Sequence, residues 1–144
     1  MYTGYYAKVR EYRANGLIPV CISLGIPDWW DGHVYQKLAP TTRVLRHDKF
    51  CNKERTESQK VQDYLDDYAR DVLLKLEPKI VLEELSKFGD IDKLILCCYE
   101  KPSEFCHRQI VASWMRVKAK IECKEFSLEV EPNYACMRPD WTTK

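Results

Sequence analysis

The sequence predicts an α/β protein: a compact, Rossmann-like three-layer domain with a short, mostly parallel sheet. Two apolar runs rich in strand-forming residues, LIPVCIS at 17–23 and KLILCCY at 93–99, read as buried strands. The stretches between and after them carry apolar residues at helical spacing. Strands separated by helices need crossovers, which favour parallel pairing with helices on both faces. A length of 144 residues fits one domain, 1–144, large enough for a core without covalent staples.

At the N-terminus, Tyr2, Tyr5 and Tyr6 are expected to alternate between core and surface. The first strand at 17–23 follows Asn15-Gly16, a turn signal. After it, GIPDWWDGHVYQKLAP has no periodic pattern and reads as a long loop leaving the strand's end. Thr56 and Gln59 fit a capping box, and Val61, Tyr64, Leu65, Tyr68, Val72 and Leu76 give a helical stripe over roughly 57–76. Pro78 interrupts it. Ile80, Val81, Leu82, Leu85 and Phe88 form a second stripe, stopped by Gly89. The strand at 93–99 is continuously apolar, as a central strand should be. A last helix is expected from Pro102 or Ser103 to about Lys120, with Ile110, Val111, Trp114, Val117 and Ile121 on its buried side. Phe126, Leu128 and Val130 alternate with polar residues, suggesting an edge strand.

Composition excludes several classes. A net charge of +1 argues against bulk attraction for duplex nucleic acid or membrane, so a nucleic-acid partner is not indicated by charge but stays open through local basic patches, and the oligomeric state is left unknown. No apolar run approaches the roughly 20 residues that span a bilayer, and MYTGYYAKVREYRANG lacks the apolar stretch of a signal peptide. The cytosol is the expected compartment. Seven cysteines are an odd number, and Cys97 and Cys98 are strand neighbours pointing to opposite faces. Free thiols follow.

The chemistry concentrates where the central strand hands over to the last helix. Cys98 and Glu100 lie two apart in extended chain and face one space. Cys106, His107 and Arg108 fall in the opening turns of the expected helix, where unpaired amides favour an anion. Four readings compete there. Cys106 or Cys98 is a nucleophile, with Glu100 or His107 shuttling protons and Arg108 holding an anion. The same groups bind an anion or nucleotide without reaction. Cys98, Cys106 and His107 hold a metal. Or the set is structural, with packed thiols and Arg108 paired to Glu100 or Glu104. Metal is the least supported, because C-x7-C-H lacks a second closely spaced cysteine pair, and no metal ligand is assigned.

The run from Leu94 to Met115 resembles the family catalogued as domain of unknown function 488, in which a strand ends in L-C-x-E and C-H-R opens a helix. Here these are Leu96 to Glu100, with Cys97 in the place of the usual apolar residue, and Cys106-His107-Arg108. YTGYY, ISLGIP, LAPTTRVL and QDYLDDYARDVLLKL also resemble the family, so the likeness covers nearly the whole chain. It implies a Rossmann-like domain with a shared site at the hinge, and supplies no reaction.

The reading that results is a small cytosolic enzyme acting on an anionic, nucleotide-like substrate. Cys98, Glu100, Cys106 and His107 are the candidate catalytic residues, and Arg108, Ser23 and Trp30 the substrate-binding ones. The alternative is a sequestering module with the same pocket and no turnover. The nucleotide element rests on analogy with Rossmann-like sites. The cofactor is left unknown. Ser23 and Pro27 read as a substrate wall or a plain turn; Trp29 and Trp30 as a stacking platform or a core cover. Arg43, Arg46, His47 and Lys49 read as a phosphate patch or a solvated run. Cys21 reads as packing, Cys51, Cys123 and Cys136 as incidental, and His33 is given no role.

Overall fold

The alternation of strand and helix produces a five-stranded parallel sheet in a computed structural model that describes residues 1–45, 56–101 and 104–126. Its strands are β1 (Tyr2–Tyr5), β2 (Ile18–Cys21), β3 (His33–Val34), β4 (Leu94–Cys98) and β5 (Lys124–Glu125), in spatial order β3-β2-β4-β1-β5. The helices are α1 (Val9–Ala14), α2 (Glu57–Asp71), α3 (Pro78–Ser86) and α4 (His107–Val117). The mixed, Rossmann-like α/β architecture is as the sequence predicts.

Strand β4 is central because it is apolar on both faces. Leu96 pairs with Thr3 on one side and Val20 on the other, and all five β4 residues are buried. Alternation then splits the core in two. Leu94 and Leu96 join Val20, Ile22 and the inner sides of α2, α3 and α4 in the larger cluster. Ile95 and Cys97 join Cys21, Tyr6 and Tyr12 from α1 in a smaller cluster on the opposite face. Cys98 shares the parity of Leu96, so it faces the helix-rich side at the carboxyl edge.

Local chemistry explains most element limits. Thr56 caps α2 through the full capping box: its hydroxyl accepts from the Gln59 amide, and the Gln59 side chain accepts from the Thr56 amide. This helix is shorter than expected. Val72 leaves helical geometry (φ −122°, ψ −66°), and a single 3-10 turn at Leu73–Lys75 follows. Pro78 opens α3 at its first position, where a missing N–H costs nothing. Gly89, at φ +152°, ends the segment against Ile18, and a Cβ there would strike the Ile18 side chain.

Two expectations need correction. The last helix starts at His107, not at Pro102 or Ser103, because Cys106 is extended (φ −150°, ψ 149°) and serves as its cap. It ends at Val117, and Lys120 turns the chain with φ +58°. Tyr2 and Tyr5 belong to a strand, β1, that the sequence reading does not contain, and Tyr6 opens the 3-10 turn that follows it. Gly4 obscures that strand and also makes it fit: a Cβ there would lie 2.7 Å from both Ile95 and Tyr12. The edge strand expected over Phe126, Leu128 and Val130 falls largely outside the described residues, which end just after β5, and Cys51, Cys136, Arg46, His47 and Lys49 lie outside them too.

Among the described residues, no helix is long and apolar enough to cross a membrane.

Candidate functional site

In parallel sheets, ligands collect where strand carboxyl ends meet the following loops. Here β2 and β4 end side by side, and α4 begins against them. A cavity of about 260 Å³ opens at that edge. Cys98, Glu100, Cys106 and His107 form one wall, Ser23, Leu24 and Gly25 lie on the β2 side, and Tyr64, Tyr99 and Phe105 supply aromatic surface.

Each polar group has a traceable support. Cys98 sits on the last residue of the central strand. Its Sγ lies 3.5 Å from Glu100 Oε2 and 3.6 Å from His107 Nδ1. Cys106, at the cap of α4, brings a second sulfur to 3.7 Å from the same nitrogen. The other ring nitrogen, His107 Nε2, lies 2.8 Å from the Ile22 carbonyl at the end of β2. A carbonyl only accepts, so Nε2 carries the proton and donates it, leaving the Nδ1 lone pair turned toward the two sulfurs. The three ligand-type atoms of Cys98, Cys106 and His107 all lie within 4.8 Å of one another.

The electrostatics differ from group to group. Burial opposes ionisation of Cys106, yet the hydrogen bond with Cys98 and the nearby Arg108 guanidinium hold its thiol well below the usual range. The hydrogen bond with Cys106, followed by burial, pushes the Cys98 thiol up. Burial first, and Cys106 next, raise the Glu100 carboxyl to about 7. Burial also raises the phenols of Tyr64 and Tyr68.

The structure brings together Cys98, Glu100, Cys106 and His107, and Ser23 joins them in the cavity wall. Ser23 has little freedom to bind anything else: its hydroxyl donates to the Gly25 carbonyl and meets Tyr6 Oη, both at 2.5 Å. Two expected substrate-binding residues lie elsewhere. Arg108 is fully enclosed, and its Nε donates to Glu125 Oε1 at 2.8 Å, an oxygen that also accepts from the Thr3 hydroxyl at 3.0 Å. Its partner is thus neither Glu100 nor Glu104, and it does not line the cavity. Trp30 is also absent from the lining, since its ring packs 5.1 Å from Tyr6 and its indole N–H donates to the His33 carbonyl.

Some site residues escape sequence reasoning. Tyr64 reads there as core with Tyr68, but only Tyr68 is sealed, and Tyr64 borders the cavity with its ring 5.1 Å from Phe105. One stripe on α2 serves both ends, and periodicity cannot separate them. Tyr99 and Phe105 carry a weak signal, since each directly adjoins a candidate cysteine.

Residues 13–119 match the family model described as DUF488-N3a, the active DUF488-N3 subclade. No curated protein and no solved structure matches the chain.

Proposed function

Because the chain belongs to the DUF488-N3a family, the active DUF488-N3 subclade, we propose that it is an enzyme whose reacting groups are Cys98, Glu100, Cys106 and His107. One observation carries the reading: two sulfurs, an imidazole and a carboxylate from separate chain segments form one wall of a reachable cavity. Cys98, Cys106 and His107 act at the reacting atom, and Glu100, beside Cys98, takes and returns the proton. The description of the subclade as active supports turnover over sequestration.

The substrate is a small nucleotide-derived compound, with its base or sugar portion inside. About 260 Å³ lies just below the 300–1,000 Å³ common for drug-sized ligands, so the cavity suits such a fragment. Tyr64, Tyr99 and Phe105 offer faces for a planar ring. Arg108 is committed to Glu125, so a phosphate projects outward rather than onto that guanidinium.

The test is incubation of the full chain with a panel of nucleobases, nucleosides and nucleotides, followed by mass spectrometry. Consumption of one class is expected, and Glu100→Gln should lower turnover by about 100-fold or more while binding persists. A ligand bound but returned unchanged by the wild type would replace the enzyme with a binding module. No binding across the panel would remove the substrate class.

A further inference from the structure

We propose that Cys98 Sγ, Cys106 Sγ and His107 Nδ1 bind a zinc ion whose fourth position opens on the cavity. The spacing of the donors is the first argument. Zinc bonds of about 2.3 Å to sulfur and 2.0–2.1 Å to nitrogen, arranged tetrahedrally, set sulfur and nitrogen about 3.6 Å apart. The observed separations are 3.6 and 3.7 Å.

The imidazole supplies the second argument. Its Nε2 proton goes to the Ile22 carbonyl, and its single Nδ1 lone pair faces two sulfurs at nearly equal range. One lone pair accepts one good hydrogen bond, whereas a cation between the three atoms uses all of them. A ring nitrogen tied to a backbone carbonyl is also the usual support for a histidine that ligates metal through its other nitrogen. Donor chemistry then selects the ion. Two thiolates and an imidazole suit zinc, while calcium and magnesium prefer oxygen. Two thiolate charges also offset the dication where it is buried.

The fourth position distinguishes a reactive centre from a structural one. All three donors come from residues that line the cavity, and Glu100 stands outside the three-atom group with an oxygen 3.5 Å from Cys98 Sγ. Arg108 and Glu125 form their own closed pair behind the site and contribute no ligand.

Resting on the proposed function, this deepens it to a hydrolysis. Zinc-bound water passes a proton to Glu100, and the hydroxide forms a bond to an electrophilic substrate carbon. The bond from that carbon to the leaving group breaks, and the leaving group takes the proton from Glu100. The net change is water added across one bond, with no electron transfer.

The experiment is metal analysis of the full chain purified without chelator from zinc-supplemented cultures. About one zinc per chain is expected. Cys98→Ser, Cys106→Ser and His107→Ala should each weaken zinc retention at least tenfold against a chromogenic chelator, while Glu100→Gln keeps it. Cobalt replacement in the wild type should give thiolate-to-metal absorption, a readout independent of how the variants fold. Absence of zinc together with no thiolate–cobalt band overturns the site. Full retention by a Cys98→Ser/Cys106→Ser variant does the same. Turnover that survives metal stripping defeats the zinc centre and leaves the enzyme standing; zinc without turnover of any panel member does the reverse.

Discussion

His107 and Arg108 are neighbours in the chain, yet they belong to two polar clusters with different relations to water. His107 joins Cys98, Glu100 and Cys106 on the wall of a cavity. Arg108 reaches away to Glu125, which Thr3 also holds, and all three side chains are enclosed. The enclosed cluster ties β1, β5 and α4 together. Its guanidinium also leaves Nη1 and Nη2 without a hydrogen-bond partner among the described residues, so it is held at an energetic cost. A buried charge pair of this kind serves the fold, while the neighbouring set is left reachable for chemistry.

The comparison can be broken in several ways. The largest effect is expected from Arg108→Met, which strands Glu125 as an unpaired buried charge. Chemical denaturation should show a loss of about 3–5 kcal/mol, much of it regained in Arg108→Met/Glu125→Leu. A single variant as stable as the wild type would mean the pair is not sealed. Next comes Tyr68→Phe. It removes the donor to the Leu38 carbonyl in the core and should cost about 1–3 kcal/mol by the same measurement. Glu100→Gln sharpens the contrast from the other side: unfolding should shift by less than about 1 kcal/mol even as turnover falls. If instead it unfolds the protein, the cavity wall is part of the scaffold. The smallest effect belongs to Asp31→Asn. Its partner Arg13 is 2.6 Å away, closer than Arg108 is to Glu125, but both groups face solvent. The denaturation midpoint should not move, which would show that enclosure, not ion-pair distance, sets the difference.

The sequence made the central layer legible, because an unbroken apolar run such as 94–98 is stable only when covered on both faces. It also pointed to the hinge, since period-two alternation puts Cys98 and Glu100 on one side. It did not reveal β1, whose Gly4 and tyrosines lack a strand pattern and become intelligible only against Ile95 and Tyr12. Nor did it separate Arg108 from its neighbours. The deciding partner, Glu125, lies 17 positions on and meets it only after the sheet closes. Trp30 misled for a similar reason: an indole in a polar loop looks available until Tyr6 and the His33 carbonyl are seen to occupy it.

The Ile22 carbonyl gives one last lever. It fixes the imidazole tautomer from a position 85 residues earlier in the chain. Changes in the last residues of β2, whose side chains never touch a ligand, should therefore swivel the ring and blunt the chemistry. Screens for inactive variants ought to return hits around Val20 and Ile22 as well as at the hinge.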